Sequence, residues 1–305
     1  MSRIGVITGL SLVLAVILAS CANKSPANLS REGTRLIEHA AGETPVPENP
    51  KRVVTLDYGA LESAIALDIK PVATILNGNL SEQPTYLRPH LEGVQSLGFG
   101  NQANLEKIAR LNPDLIIGCE CYSGGVYQQL SQIAPTVLTE DVAQQWRENF
   151  LFYGEVFGKP EQAQATLNQL QQQLDTLNPP EEIEVSVARM FPSHVRLYLK
   201  DSFSGQILEM VGLKRPPSQT INDYQKEISK ERWDMIDGDI LFIITIGEEA
   251  EKALDKFEND PLWSQLEVVQ RDRAYPVQGY WVGSGVLAAQ EVINDLETYL
   301  PQSFN

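Results

Sequence analysis

The segment Pro160–Leu177, PEQAQATLNQLQQQLDTL, constrains the rest of the chain more than any other. Pro160 suits a first helical position, where its missing N–H would have no partner in any case, and Glu161 sits where the helix dipole favours an anion. Ala163, Leu167, Leu170 and Leu174 recur at three- and four-residue spacing and form one apolar stripe. Asn178-Pro179-Pro180 ends the pattern. Such a helix spans roughly 27 Å, about the width of a small domain.

Two stretches of similar size flank this helix and echo each other. Before it stands NLEKIARLNPDLIIG, residues 104–118; after it, SKERWDMIDGDILFI, residues 229–243. Each opens on a helix-capping residue (Asn104, Ser229) and has a Glu two positions on (Glu106, Glu231). Each continues through a short helical turn, a breaker pair, an Asp and an apolar strand run, and the two lie 125 positions apart. ALDIKP at 66–71 and MVGLKR at 210–215 repeat the theme more weakly. The economical reading is α/β: two Rossmann-like three-layer lobes joined by one long helix. The expected boundaries are a lobe over 50–158, the connecting helix over 159–180 and a second lobe over 181–305.

The first 21 residues stand apart. Arg3 supplies a positive start, Ile4–Ala19 is apolar, and Leu18-Ala19-Ser20-Cys21 matches the box of bacterial lipoproteins, in which the Cys is lipidated and becomes the new N-terminus. The alternative is a plain secretory signal with an incidental Cys. The apolar run is short for a membrane-spanning helix. The segment 22–49 reads as a tether and lead-in, so the chain is expected at the periplasmic or extracytoplasmic face of the cell membrane, held by lipid alone. That compartment permits a disulfide, but Cys119 and Cys121 are only two apart, and free thiols are at least as reasonable an expectation.

Composition excludes some functions. With 305 residues and 43% hydrophobic content the chain can build two ordinary cores, and a formal net charge of −16 argues against nucleic acid, whose phosphates need a basic footprint. There is no HExxH, GxSxG or GxxxxGK[ST] motif. His39, His90 and His194 are scattered, which argues against a metal held directly by the protein.

Short β-rich runs alternate with helical ones in both halves, which implies parallel pairing. Strands are expected near 51–56, 72–75, 114–118, 136–138, 184–190, 195–199, 240–245 and 274–277. Helices are expected near 60–67, 126–133, 146–157, 204–211, 231–236, 248–257 and 286–300. Gly283-Ser284-Gly285 reads as the turn into the last helix rather than as a phosphate loop. Ligands of such sheets lie beyond the carboxyl ends of the strands. That places Asp57-Tyr58, residues 120–125, Trp146, residues 191–194 and residues 278–281 around one cleft. Aromatics are frequent there, and the set Tyr58, Tyr122, Trp146, Tyr280 and Trp281 reads as a ligand site.

RVVTLDYGALESAIALDIKPVA, the two echoed segments and DPLWSQLEVVQRDRAYPVQGYWVGSGVLAAQEVINDLE together resemble the iron-siderophore-binding proteins of ABC importers, over about residues 50–300. The resemblance implies two α/β lobes on a single long helix, a monomer that is not an enzyme, no permanently bound cofactor, and a ferric siderophore complex as ligand. Cobalamin or haem is the alternative ligand, and an extracytoplasmic enzyme on the same scaffold the alternative class. It also implies that Glu106 and Glu231 dock onto basic residues of an ABC permease. Among subgroups the chain looks most like ferric-hydroxamate binders: Tyr122 falls on a Tyr that touches chelate oxygens, Tyr58 on an aromatic wall, and Trp281 on a matching Trp. The Arg of that subgroup is replaced by Asn77-Gly78-Asn79, with Arg88 nearby. The expected cleft loops hold few Arg or Lys, which favours a neutral or weakly charged chelate.

Reversing both docking charges, Glu106→Lys with Glu231→Lys, is expected to abolish uptake by whole cells while leaving ligand binding by the purified protein unchanged. Normal uptake by the double variant would rule the docking role out.

Overall fold

The computed structural model describes residues 33–98, 104–180, 182–229 and 231–300. Ahead of the first lobe, β1 (Thr34–His39) and β2 (Gly42–Pro47) form an antiparallel hairpin. Ile37 and Val46 are buried, and the Arg35 guanidinium donates to the Val156 carbonyl at 2.8 Å. The sequence reading puts no strand in 22–49. Pro45 and Pro47 hide it, and they are tolerated because β2 pairs with β1 alone.

The first sheet has the order β5-β4-β3-β6-β7 and is parallel throughout. Its strands are β3 (Val53–Thr55), β4 (Ala73–Thr74), β5 (Gln95–Ser96), β6 (Leu115–Cys119) and β7 (Thr136–Thr139). Its helices are α1 (Tyr58–Ala66), α2 (Leu105–Arg110), α3 (Glu120–Ser123), α4 (Tyr127–Ile133) and α5 (Trp146–Phe157). Side-chain alternation sorts the layers. Val53, Leu115 and Ile117 pack with residues of α1 and α5 on one face. Val54 and Ile116 pack with Ile108 of α2 and Leu130 of α4 on the other.

The connecting helix α6 (Pro160–Thr176) buries the four expected residues, Ala163, Leu167, Leu170 and Leu174. It lies close to α5 because residue 154 is glycine: a Cβ there would stand 2.6 Å from the Ala163 Cβ.

The second sheet has the order β10-β9-β8-β11-β12. It contains β8 (Val185–Met190), β9 (Val195–Tyr198), β10 (Gln225–Ile228), β11 (Ile240–Ile244) and β12 (Ala274–Val277). The helices are α7 (Phe203–Val211), α8 (Glu248–Glu258), α9 (Glu267–Gln270) and α10 (Val286–Tyr299). Here the expectation of parallel pairing needs correction. β9 runs antiparallel to both β8 and β10, because residues 191–194 are too few for a crossover and make a hairpin. The helix expected at 231–236 is likewise a single 3₁₀ turn, Trp233–Met235.

The echo in the sequence is an echo in the structure. Asp114 accepts from the backbone N–H groups of Lys51 and Arg52 at 2.7 and 2.8 Å, and Asp239 accepts from Glu184 N–H at 3.0 Å. Each Asp thus holds the start of the neighbouring strand. In the weaker echo, α1 and α7 both end in a left-handed residue, Asp68 (φ 57°) and Gly212 (φ 79°). The next amide then bonds back into the helix, Ile69 to Ala64 and Leu213 to Leu208.

Leu170 is 3% exposed in the middle of the α6 stripe. Leu170→Ala is expected to lower unfolding stability by about 2–5 kcal/mol, measured by urea denaturation. A loss below about 1 kcal/mol would mean that the stripe is not part of the joined core.

Candidate ligand cleft

The first wall of the cleft is built at the carboxyl ends of β3, β4 and β6. Asp57 caps α1, accepting from Ala60 N–H at 2.8 Å. Its carboxylate is fully buried, and burial, opposed by backbone hydrogen bonds, pushes its pKa up to about 6. The Oδ2 atom accepts no hydrogen bond among the described residues. Tyr58 follows, half-buried, donating to Gln83 Oε1 at 2.6 Å and accepting from Asn77 N–H at 3.2 Å. The Asn77-Gly78-Asn79 loop is therefore pinned to Tyr58 through Gln83, whose amide also donates to the Asn77 and Asn79 carbonyls. Arg88 is exposed on a 3₁₀ turn, and its Nε donates to the Gln83 carbonyl at 2.7 Å.

Tyr122 projects from α3, just beyond β6, and is 40% exposed. Burial of the rest of the ring, then the Asp57 charge, raises its phenol pKa. Cys119 and Cys121 are joined in a disulfide with Cα atoms 5.3 Å apart, a correction to the expectation that they could as well be free thiols. The bridge sits directly before Tyr122. Leu80 and Ile246, 46% and 39% exposed, stand on loops that follow β4 and β11.

The second wall is the uncovered end of the β8–β9 hairpin. Arg189 on β8 and Arg196 on β9 place their guanidinium carbons 4.7 and 4.8 Å from the centroid of the Phe191 ring. His194 stacks on the same ring at 4.5 Å and 8°. Phe191 is thus an apolar plate surrounded by three basic groups. Glu227 on β10 answers part of the charge, 2.9 Å from Arg196 and 3.4 Å from His194. Arg189 has no ion pair among the described residues, and the Nε atoms of both arginines are buried without partners. Next to Arg196 lie Tyr198 and Tyr224, in edge-to-face contact. Burial, then the nearby Tyr198 and Tyr122 hydroxyls, pushes Tyr224 up to about 12. Tyr224 of one lobe is therefore within electrostatic reach of Tyr122 of the other.

Three of the sequence-based site residues are not on this surface. Trp146 is 1% exposed and packs edge-on against Phe203. Trp281 is fully buried against Phe242, and its indole N–H donates to Asp295 at 2.8 Å. Tyr280 is 8% exposed and gives its hydroxyl to the same carboxylate at 2.8 Å. Trp146 and Tyr280 are buried against rings of the other lobe, Phe203 and Tyr86, and Trp281 is buried inside the second lobe, so all three are core residues rather than cleft surface and the expectation is corrected accordingly. The expectation that the cleft is poor in basic groups is corrected too. Arg189 and Arg196 lie on strands, not in the loops from which the expectation is drawn. The signal available was their spacing around a four-residue hairpin, FPSH, at 191–194.

Of the docking pair, Glu106 is highly exposed on the first turn of α2 and paired with Arg110 at 2.6 Å. Glu231 is also exposed, in a turn ahead of the Trp233–Met235 3₁₀ helix rather than in a helix of its own. Cys21 lies outside the described residues. No helix among the described residues is long and apolar enough to cross a membrane.

A two-lobed α/β scaffold on one connecting helix, with a phenol on one lobe and an arginine-ringed phenyl on the other, is the architecture of a solute-binding protein. Residues 53–278 match the family model described as periplasmic binding protein, and the chain belongs to that family. It is 32% identical to the probable siderophore-binding lipoprotein YfiY of Bacillus subtilis, over 94% of this chain and 95% of that one. It is 31% identical to the achromobactin-binding periplasmic protein of Dickeya dadantii, over 81% of this chain and 85% of that one. Among solved structures, Staphylococcus aureus SirA complexed with staphyloferrin B superposes with a TM-score of 0.75 at 25% identity, over 88% of this chain and 98% of that one.

Exposure separates the aromatics into two classes with opposite behaviour. Tyr122→Ala is expected to shift the thermal midpoint little, whereas Trp281→Ala removes a fully buried ring and is expected to cost about 3–5 kcal/mol of stability. Parallel thermal melts check this, and equal losses would contradict the division.

Proposed function

We propose that this chain captures a ferric siderophore between its two lobes and delivers it to an ABC permease. The mature protein is anchored by lipid at Cys21 on the extracytoplasmic face and acts as a monomer. The lobes span 50–158 and 181–305, and Glu106 and Glu231 make the permease contacts. The ligand is the iron chelate itself, taken up and released, with no resident cofactor. The relative named as a probable siderophore-binding lipoprotein, 32% identical over nearly the whole chain, supports this reading.

The observation that carries it is the Arg189–Phe191–Arg196 cluster with His194, beside Tyr224 of the same lobe, on which Tyr122 of the other lobe also acts. Two guanidiniums with unpartnered buried Nε atoms, one of them without an ion pair, form a site for anionic oxygens. The iron arrives already coordinated, so the protein supplies outer contacts: guanidinium N–H groups to anionic chelate oxygens, phenol O–H from Tyr122, and ring faces to the apolar arms. This charge balance favours a chelate with net negative charge, such as one carrying carboxylate groups. The hydroxamate reading is kept by one observation, the exposed Tyr122 hydroxyl, which can donate to a neutral chelate without the arginines.

Calorimetric titration of ferric carboxylate, hydroxamate and catecholate siderophores, with cobalamin and haemin alongside, tests both. An anionic chelate is expected to bind best, with affinity falling as salt rises. In Arg189→Ala with Arg196→Ala its affinity should drop at least about tenfold. Tightest binding of a neutral hydroxamate, unchanged in the double variant, would move the ligand to the second reading. Saturation by cobalamin or haemin alone would overturn the siderophore assignment.

A further inference from the structure

Below the cleft the two lobes meet at the N-termini of two helices, α1 of the first lobe and α10 of the second. The approach is close enough to require glycine on both sides. A Cβ on Gly59 would stand 2.9 Å from the Ser284 carbonyl oxygen, and one on Gly285 would stand 2.4 Å from Glu62 Oε2. The residue before α10 is Gly285, which has no side chain to cap the helix. Glu62 does so from the other lobe: its Oε2 accepts from Ala288 N–H at 2.8 Å, and its Oε1 accepts from the Tyr86 hydroxyl at 2.8 Å. Glu62 is 1% exposed, in the middle of a helix whose other buried side chains are small or apolar.

We propose that Glu62 is a proton-operated tie between the lobes, a carboxylate of one lobe that caps the last helix of the other and whose charge sets how firmly the two are held together. Its surroundings make the charge matter. The ionisable groups that act on Glu62 or on its partner Tyr86 are Asp57 and Tyr58 from the first lobe and Glu291 from α10. Beside them Tyr280 packs edge-on against Tyr86 and bonds Asp295. Every one of these groups is acidic or phenolic. Among the described residues an ionised Glu62 is stabilised by three hydrogen bonds, from Tyr86 and the α10 amides, with no cation opposite. A protonated Glu62 keeps one carbonyl oxygen for the α10 amide and can donate its own hydrogen to the Tyr86 oxygen. The neutral form therefore holds the lobes together without a buried charge.

Burial is the largest influence and raises the Glu62 pKa from 4.5 to about 7. A group whose folded pKa lies above its unfolded value stabilises the fold fully below the unfolded pKa and loses that contribution as pH rises through the folded one. The tie is thus tightest in mild acid and weakens between about pH 5 and pH 8. The cleft floor is attached through this contact, so a weaker tie gives the lobes more freedom to part. The device needs no ligand and stands apart from the siderophore assignment.

The test uses the full chain without ligand. Thermal midpoints are recorded from pH 5 to pH 8 for the wild type, Glu62→Gln and Asp57→Asn, with hydrogen exchange at the Leu287 and Ala288 amides. Gln is nearly isosteric, and its amide can accept from α10 and donate to Tyr86. The wild-type midpoint is expected to fall by on the order of 5 °C across this range from Glu62 alone. Asp57, whose pKa burial also raises to about 6, adds a fall of its own at the acid end, so the variants are compared by their slopes above about pH 6. There most of the fall should vanish in Glu62→Gln, while Asp57→Asn should keep most of it. Protection of the two amides, corrected for intrinsic exchange, should decline with pH in the wild type and stay level in Glu62→Gln. A wild-type slope retained in Glu62→Gln, or one removed by Asp57→Asn instead, would overturn the proposal. So would amide protection independent of pH in the wild type.

Discussion

One continuous apolar core runs through both lobes, and the rest of the molecule depends on it. Val53, Leu115 and Ile117 of the first sheet, the α6 stripe, and Val187, Phe242 and Ile244 of the second sheet belong to a single buried cluster. Each lobe keeps a smaller core of its own on the outer face of its sheet. Two sheets that share a core cannot swing freely about a flexible linker, so any closing motion is a small adjustment over a packed floor. The ligand surface is what this core leaves uncovered: the upper end of the β8–β9 hairpin and the strand ends of the first sheet.

The same constraint explains the division of labour among aromatic residues. A large ring near the junction of two lobes is worth most when it is buried: Trp146 and Phe203 meet across that junction, and Phe242 and Trp281 pack together in the second lobe as part of the same shared core. Rings further from the junction stay partly open, as Tyr122 does. Polar atoms carried down with buried rings are usually satisfied internally, although the Trp146 indole N–H has no partner among the described residues. Asp295 meets that need for both Tyr280 and Trp281. Glu62 is a carboxylate in this apolar junction with no cation among the described residues opposite it, and it bonds across the lobes to the Ala288 amide.

The two walls of the cleft are unlike in charge. The first offers phenols over a buried acid, and the second offers guanidiniums around a phenyl ring. A ligand that spans the gap can place anionic oxygens on one side and hydrogen-bond acceptors on the other, which gives it a preferred orientation. Net charge conceals this: the chain carries −16 overall, yet Arg189 and Arg196 gather two positive charges around one ring.

Much of this was legible in the chain because it depends on local periodicity. The α6 stripe, the capping Asn104, the helix over 146–157 and the alternation of strands with helices follow from spacing within a few residues. The echo of residues 104–118 in 229–243 disclosed two related lobes, and the paired Asp114 and Asp239 contacts show why that pattern recurs. Which side of a helix or strand faces another lobe is not a local property. Trp146, Tyr280 and Trp281 carry the same chemistry as Tyr122, and only tertiary packing, between lobes for Trp146 and Tyr280 and within the second lobe for Trp281, decided that they are core and Tyr122 is surface. Arg189 and Arg196 meet around Phe191 because antiparallel pairing sets β9 beside β8, and Glu62 meets Ala288 across 226 positions of chain. The sequence by itself determined the elements and their class. The tertiary structure decided the site, because burial and charge proximity arise only when distant segments are brought within a few ångströms.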